Sequence, residues 1–418
     1  MLKLFYKIVF LISFIVFQMA FAQERIKLDY VTTQEREKFR IETEWKILEY
    51  LYFDVKAENE EKLLEAFWLS EVTLSQSEML FNAVKTGLQN HKELSNWFVR
   101  GIIEAAYTLY PKEFEKEVAT LLRETTNEKN FAMCAVYLTR ISKDYNTLIS
   151  MSMPGRFSNW ATHPILRTLY FYISKDYKQI LKDRPPLKDL IQNPFWKERP
   201  VIFSFQRENR DYPGLAVIKN EKGEFVKGED GKIVAVRQLA RSITNLPAFL
   251  TNGNTPQGIF SVKGIEVSKS KFIGPTENIQ TKLPYEDSVG GFYPDKISES
   301  WNADLYSNML PESWRDYFPI YLAYNAGEAG RNEIIVHGTT IDPSFYEGKP
   351  YYPNTPSLGC LCAPEIWSQE TGEIEKSEQE RLIWGFKQTS MKNALMVVVV
   401  LDDKEKWVEL EDILSQLE

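Results

Sequence analysis

The sequence contains few of the side chains that build metal centres or disulfide frameworks. Only three histidines and three cysteines occur among its 418 residues. Three cysteines do not make a framework of paired disulfides, and no second Cys or His pair completes the ligands of a zinc site. The formal net charge is −8, whereas binding to phosphates requires a clustered basic surface. We therefore expect no metal, no other cofactor and no nucleic-acid partner.

The first 22 residues have the pattern of a secretory signal peptide. Two lysines lie within the first seven residues, residues 8–17 are apolar, and Ala20-Phe21-Ala22 forms a small-x-small cleavage site before Gln23. The apolar run is short for a membrane-spanning helix, which takes about 20 residues, although an uncleaved anchor is the alternative. No cysteine stands at the cleavage point to support a lipid anchor. We expect an exported, periplasmic protein that is cleaved after Ala22.

Residues 23–195 have the pattern of an all-α domain. Glycine is scarce here, and apolar residues such as Phe98 and Ile102 recur at helical spacing. The string Ile-Ser-Lys-Asp-Tyr occurs at residues 141–145 and again 32 residues later, at 173–177. A period of this length is typical of helix-turn-helix repeats. We therefore predict a helical-repeat-like domain, which either binds a protein or glycan partner on a concave surface or supports the domain that follows.

A β-rich domain is predicted over residues 196–402, after proline clusters that stop the last helix. Seven runs have strand patterns, at residues 201–205, 215–219, 232–236, 258–267, 320–324, 333–337 and 395–401. The turns between the early runs indicate hairpins and a mixed or antiparallel sandwich. A final helix is expected within residues 403–418. The whole chain is thus predicted to be α+β, with an all-α domain first and a β sandwich second.

One histidine and one cysteine stand where a nucleophilic pair would be expected. His337 ends a β-branched run, and Cys360 follows 23 residues later in the turn Ser357-Leu358-Gly359-Cys360. An imidazole that takes the proton of a thiol makes the cysteine a nucleophile, and the two need not be adjacent in sequence. The alternative is a chance histidine in a strand and a buried thiol. Cys134 and Cys362 are expected to be packing residues, and a bond between the neighbouring cysteines would be strained.

Three motifs occur in a characteristic order: Thr255-Pro256-Gln257-Gly258-Ile259-Phe260, His337-Gly338-Thr339 and Ser357-Leu358-Gly359-Cys360. Together they resemble the catalytic domain of L,D-transpeptidases of the YkuD type, over roughly residues 196–402. The resemblance implies a β-rich sandwich, peptidoglycan stem peptides as substrates and covalent inhibition by carbapenems. It also suggests that the aromatic stretch at residues 274–317 is a lid over the catalytic cleft. The alternative is an insertion that packs elsewhere.

The resemblance further implies a role for each residue of the site. Cys360 is the nucleophile and His337 its base, and a carbonyl or hydroxyl of Gly338 or Thr339 orients the imidazole. Ser357 is expected to pin the turn, and backbone N–H groups of Gly359 and Cys360 are expected to hold the oxyanion. The residues that bind the substrate are not identified.

The implied reaction begins when the Cys360 thiolate attacks the carbonyl of the third residue of a tetrapeptide stem. The terminal D-alanine leaves and a thioester remains. A neighbouring stem amine would then give a 3→3 cross-link, which the family forms most often, whereas water would make the protein an L,D-carboxypeptidase and a protein lysine would give attachment to the wall. A hypothesis from another class is a non-catalytic wall-binding scaffold. Many family members have His and Arg at the positions of Leu358 and Cys362. These differences leave the scaffold hypothesis and the choice of donor peptide open.

Overall fold

The computed structural model describes residues 26–174 and 177–417, so the predicted signal peptide lies outside the described residues. The structure is mixed α+β, with most helices in the N-terminal half and a large sheet in the C-terminal half. Ten α-helices precede the strands in the described chain. They are α1 (Thr33–Leu51), α2 (Glu60–Thr73), α3 (Glu78–Gln89), α4 (Asn96–Leu109), α5 (Glu115–Glu124), α6 (Glu128–Ile141), α7 (Asp144–Arg156), α8 (Pro164–Ser174), α9 (Tyr177–Lys182) and α10 (Leu187–Ile191).

Ten strands follow, with five short helices between or after them. The strands are β1 (Val201–Arg207), β2 (Gly214–Lys219), β3 (Ala235–Gln238), β4 (Gly258–Val267), β5 (Glu277–Lys282), β6 (Val336–His337), β7 (Leu361–Cys362), β8 (Glu365–Trp367), β9 (Ile374–Ser377) and β10 (Leu395–Asp402). The helices are α11 (Val289–Phe292), α12 (Ala303–Ser307), α13 (Leu322–Glu328), α14 (Glu378–Lys387) and α15 (Leu410–Leu414).

The helices pack against each other in pairs around one hydrophobic core. Serine hydroxyls begin α3 and α4, because Ser77 and Ser95 each accept a backbone N–H of the first helical turn at 3.1 Å. Arginine side chains also donate hydrogen bonds to backbone carbonyls of the helix two positions earlier in the chain. Arg140 donates to Tyr107 over 33 residues and Arg156 to Leu122 over 34 residues. These offsets are close to the 32-residue spacing of the repeated string, so equivalent positions of successive units meet.

The helical core extends into the C-terminal half of the chain. Leu246, Phe249 and Leu250, which lie between β3 and β4, are buried among the helical side chains. The segment before α1 also pairs with the β8–β9 hairpin. The N–H of Leu28 donates to the carbonyl of Gly372, and the N–H of Ile374 donates to the carbonyl of Ile26. The two predicted domains therefore share core residues instead of meeting only at a surface.

Eight strands form one mixed sheet in the order β3-β2-β1-β10-β4-β5-β6-β7, and β8 pairs only with β9. β1 runs parallel to β10, and β6 runs parallel to β7. The ends of the sheet also meet, because Leu239, directly after β3, exchanges two backbone hydrogen bonds with Cys362 of β7 (2.8 and 3.0 Å). This single bridge, which we call the closing bridge, turns the row of strands into a closed ring.

Strands β1, β2 and β10 are buried on both faces, because their side chains alternate between two cores. On β1, Phe203 and Phe205 point to one core and Ile202 to the other. Helix α14 covers the second core with Leu382 and Phe386. Burial on both faces explains why these strands appear in the sequence as continuous apolar runs.

Several sequence predictions need correction here. The strand predicted at residues 320–324 is helical: a 3₁₀ turn over Phe318–Tyr321 leads into α13. The run at 333–337 contributes only the two residues of β6, and the predicted C-terminal helix shortens to α15. The run at residues 320–324 is apolar and short, and such a run cannot be assigned to a strand or a helix from its periodicity alone.

The segment at residues 274–317 packs against the sheet. It contains β5, α11 and α12, although its sequence shows little strand pattern. Phe292, Tyr306 and Trp314 are buried in the same core as Phe203. Its aromatic side chains thus fill the core on one face of the sheet.

Candidate active site

The pairing of β6 with β7 brings the predicted histidine close to the cysteine turn. His337 lies beside Cys362 in the parallel register, and the N–H groups of Leu361 and Ala363 donate to the carbonyls of Ile335 and His337 (3.0 and 2.9 Å). Cys360 directly precedes β7, so the end of one short strand and the start of its neighbour carry the two predicted catalytic residues.

The turn before Cys360 is held by side-chain hydrogen bonds. The Ser357 hydroxyl accepts the N–H of Gly359 (3.1 Å) and donates to the carbonyl of Cys360 (3.2 Å). Thr255, from the Thr-Pro-x-Gly motif, donates its hydroxyl proton to the carbonyl of Gly359 (2.9 Å). Ser357 thus closes the turn, and its hydroxyl accepts the N–H of Gly359, one of the two backbone groups expected to hold an oxyanion. The Cys360 N–H has no acceptor among the described residues.

Gly359 is required by both its conformation and its surroundings. Its φ of +123° is one that L side chains rarely adopt. A Cβ at this position would lie 2.4 Å from Nη2 of Arg331 and 2.6 Å from the carbonyl oxygen of Gly253. The glycine therefore lets the cysteine turn approach a buried arginine closely.

Arg331 is a component of the site that the sequence motifs do not indicate. Its buried guanidinium donates to the carbonyls of Gly253 and Asn254, each at 2.8 Å, and also to that of Ala248. Burial lowers the pKa of Arg331 to about 10, which leaves the side chain charged at neutral pH. Its charge favours the thiolate of Cys360 and lowers the pKa of that thiol.

The Cys360 thiol is partly exposed and contacts the backbone before β6. Its Sγ accepts the N–H of Ile335 at 3.4 Å and lies 3.5 Å from the carbonyl oxygen of Glu333. Burial raises the pKa of the Cys360 thiol, and the hydrogen bond from Ile335 and the charge of Arg331 offset this only in part. Cys360 is therefore a neutral thiol at pH 7.

His337 is buried and uncharged. Its Nδ1 is hydrogen-bonded to the carbonyl oxygen of Gly338. A carbonyl can only accept, so Nδ1 carries the proton and Nε2 presents a lone pair. Burial lowers the pKa of His337 to about 4. This imidazole is thus a neutral proton acceptor throughout the physiological range.

The thiol nearest to this lone pair belongs to Cys362. The Sγ of Cys362 lies 3.7 Å from Nε2 of His337, and the residue is 2% exposed. Burial raises the pKa of the Cys362 thiol far above its usual range. Among the described residues, no hydrogen bond joins Cys360 to His337 directly. Cys362 was expected to be a packing residue, and the structure adds a contact with the imidazole of His337.

Gly338 and Thr339 support the histidine in different ways. A Cβ on Gly338 would lie 2.2 Å from the Cδ of Glu365, so glycine makes room for this carboxyl group. Burial raises the pKa of Glu365 to about 7, and Ser377 donates a hydrogen bond to it (2.9 Å). Thr339 bonds to the hydroxyl of Thr355 at 2.7 Å and not to the imidazole, so the carbonyl of Gly338 is the group that orients His337.

Cys360, Cys362 and His337 line one cavity of about 360 Å³, here called the catalytic cavity. Trp68 and Val72 of α2 form part of its wall, together with Phe272 and Ile273 from the segment before β5. None of the described residues that line it lies between 274 and 317, so the aromatic stretch predicted as a lid does not reach the cavity. Leu358, where many L,D-transpeptidases have histidine, is 46% exposed at the edge.

A strained residue forms part of the wall beside Cys360. Glu333 has a φ of +55°, which costs a non-glycine residue roughly 1 kcal/mol or more. Its N–H donates to the carboxylate of Glu286 (2.9 Å), and Lys282 pairs with the same carboxylate (2.8 Å). This arrangement holds the carbonyl of Glu333 against the Cys360 thiol.

Comparisons with known proteins identify no relative of this chain. No protein-family model, no curated protein and no solved structure matches it. Within residues 26–174 and 177–417, no helix is both long and apolar enough to cross a bilayer. The same residues contain no group of three or more His, Cys, Asp or Glu side chains arranged to hold a metal ion.

Proposed function

We propose that the protein is a cysteine-dependent L,D-transpeptidase that acts on peptidoglycan stem peptides. The observation that carries the proposal is the placement of Cys360 and the neutral imidazole of His337 in one cavity that is open to solvent. The order of the three sequence motifs supports it as well. The resemblance extends the proposal to the fold of the C-terminal half, a sandwich of the L,D-transpeptidase type. The signal-peptide pattern of residues 1–22 extends it to export into the periplasm.

The chemistry follows from the protonation states of the two residues. Nε2 of His337 accepts the Cys360 proton once the thiol leaves the carbonyl of Glu333 and reaches the imidazole. The Gly338 carbonyl then stabilises the imidazolium through Nδ1, and the charge of Arg331 stabilises the thiolate. Sulfur attacks the carbonyl carbon of the third stem residue, and the N–H of Cys360 points to the developing oxyanion. His337 returns its proton to the amine of the departing D-alanine, which leaves a thioester on Cys360.

The acceptor of the acyl group is proposed to be the amine of a neighbouring stem, which gives a 3→3 cross-link. Water as the acceptor would make the protein an L,D-carboxypeptidase, and a protein lysine would make it a wall-attachment enzyme. We propose that the helical half supports the catalytic cavity, because α2 supplies Trp68 and Val72 to the wall of this cavity. A glycan or protein partner on its outer surface is the alternative role.

The test is covalent labelling followed by turnover. Intact-mass analysis of the purified protein with a carbapenem should show one adduct, and digestion should place it on Cys360. Cys360→Ala should lose the adduct, and Cys362→Ala should retain it. Incubation with a stem tetrapeptide should then release D-alanine and, with a second stem present, form a cross-linked dimer.

The labelling pattern also distinguishes the competing interpretations. An adduct that persists in Cys360→Ala and disappears in Cys362→Ala would make Cys362 the nucleophile, which its contact with Nε2 of His337 favours. A wild-type protein that gains no adduct and releases no D-alanine would point to the non-catalytic scaffold.

A further inference from the structure

Four consecutive residues connect the helical half of the chain to the cysteine turn. We call them the linking segment, residues 252–255. At its start, the side-chain amide of Asn252 donates to the carboxylate of Glu104 in α4 at 3.1 Å, across 148 residues of chain. At its end, the hydroxyl of Thr255 donates to the carbonyl of Gly359 at 2.9 Å. The segment is thus bonded to a helix at one end and to the cysteine turn at the other.

The middle of the linking segment holds Arg331. The carbonyls of Gly253 and Asn254 each accept a hydrogen bond from its guanidinium at 2.8 Å. The backbone is closely packed here, because a Cβ on Gly253 would lie 2.2 Å from the carbonyl oxygen of Pro247. The charge of Arg331 favours the thiolate of Cys360. A displacement of the linking segment therefore moves the cation that stabilises this thiolate.

Glu104 is the partner of the linking segment in the helical half. It is 6% exposed, and Asn252 supplies the one hydrogen bond that its carboxylate receives among the described residues. Arg100 of the same helix lies 3.5 Å away, and Glu71 of α2 and Lys129 of α6 interact with it electrostatically. Because a buried carboxyl group costs stability unless it is bonded, Glu104 favours a linking segment that stays in contact with α4.

We propose that Glu104 is a positioning residue for Cys360: through the linking segment it fixes Arg331 beside the cysteine turn and so sets the reactivity of the thiol. This inference rests on the proposed function, in that Cys360 is taken as the reactive thiol. It gives the helical half a part in the chemistry, in addition to its part in the wall of the catalytic cavity. Arg331 is also bonded to Ala248, so removal of Glu104 shifts the guanidinium without releasing it.

The reactivity of Cys360 with iodoacetamide tests the inference in the intact protein, without any peptidoglycan substrate. Alkylation is followed by mass analysis of the peptide that contains Cys360, from pH 8 to pH 11. This range begins above the pKa of about 7 that burial gives Glu104, so the carboxyl group stays largely ionised. Glu104→Ala should raise the apparent pKa of the thiol and slow alkylation at pH 8 by about threefold to tenfold, because a nearby opposite charge shifts a pKa by about one unit or more and here is only displaced.

Three further variants separate positioning from a loss of stability. Glu104→Gln keeps an oxygen that can accept from Asn252, so it should retain the wild-type pH profile. Asn252→Gly removes the same hydrogen bond from the other side and suits the φ of +55° at this position. It should reproduce the shift of Glu104→Ala, and combining the two should add no further shift. Tyr137→Phe is the matched control, because it removes buried hydrogen bonds of the helical core that do not involve the linking segment, and it should keep the wild-type profile.

An unchanged pH profile in Glu104→Ala would overturn the inference. Equal shifts in Glu104→Ala and Tyr137→Phe would overturn it as well, because they would assign the effect to a general loss of stability. So would a shift in Glu104→Gln as large as that in Glu104→Ala. Failure of the proposed function has a different signature: the wild-type protein then gains no carbapenem adduct and releases no D-alanine, while the alkylation profiles of Cys360 can still be compared.

Discussion

The burial of neutral His337 predicts a specific dependence of stability on pH. In the folded protein the pKa of His337 is about 4, whereas an unfolded histidine titrates near 6.5. Between these values the unfolded state binds more protons than the folded state. The contribution of His337 to the free energy of unfolding is therefore fully present above pH 6.5, declines as the pH falls and is lost below about pH 4.

The size of the effect follows from the two pKa values. Their separation corresponds to about 3 kcal/mol, and the imidazole is only 4% exposed, so solvent screens little of it. Buried carboxyl groups titrate in the same range with the opposite sign. Burial raises the pKa of Glu104 and of Glu365 to about 7 and that of Glu71 well above its usual range, so their contributions are lost as the pH rises from 4.5 towards these values. The wild-type curve alone cannot separate these groups.

A comparison with His337→Gln isolates the histidine. Glutamine does not titrate, and its amide can still donate to the Gly338 carbonyl. Urea unfolding followed by circular dichroism at several pH values between 4 and 8 should show the stability difference between the two proteins shifting by about 3 kcal/mol in favour of the variant at the acidic end. His163→Gln, in the helical half and outside the cavity, is the control. A difference that stays constant across this range would refute a buried, neutral imidazole.

Three further outcomes are expected. Gly359→Ala should lose roughly 3 kcal/mol of stability and its carbapenem adduct, because the methyl group meets Arg331 and the backbone at a strained φ; Gly348→Ala, with open space around it, should lose only about 1 kcal/mol in the same denaturation assay. Glu104→Gln removes a carboxyl group whose pKa burial raises to about 7. The substitution should therefore be more favourable to stability at pH 8 than at pH 5, by up to about 3 kcal/mol. An equal change in the free energy of unfolding at both pH values would contradict this. Phe249→Ala should destabilise the protein by about 3 kcal/mol, because this ring lies in the helical core. In thermal melts the helices should unfold at a lower temperature together with the sheet. Earlier melting of the sheet alone would contradict a core shared by the two halves.

Local sequence patterns predicted the long strands and the cysteine turn well. β4 was predicted with its observed bounds, and β1, β2 and β10 to within two residues, because each combines β-branched residues with clear turn signals. The pairing of His337 with the cysteine turn was a hypothesis from the residue types, which the resemblance then favoured. Nothing in the spacing of the two motifs indicates that β6 and β7 are parallel neighbours.

The remaining features depend on contacts between distant parts of the chain. Arg331 lies in a polar stretch that resembles any surface turn, and its partners are backbone carbonyls about 80 residues earlier, which have no sequence signature. The contact between Cys362 and His337 arises from the register of two-residue strands. The strand predicted at residues 320–324 was wrong because a five-residue apolar run is too short to show whether its period is that of a strand or of a helix.

The closing bridge has a consequence for how this site can vary. At residue 362 the main chain joins the two ends of the sheet, and both of its hydrogen bonds to Leu239 come from backbone atoms. The main chain of residue 362 is therefore held by backbone atoms, whichever side chain it carries. A side chain at 362 can be exchanged to alter what surrounds His337 while the two ends of the sheet stay joined. The surroundings of the imidazole and the closure of the sheet can thus change separately, although both depend on one residue.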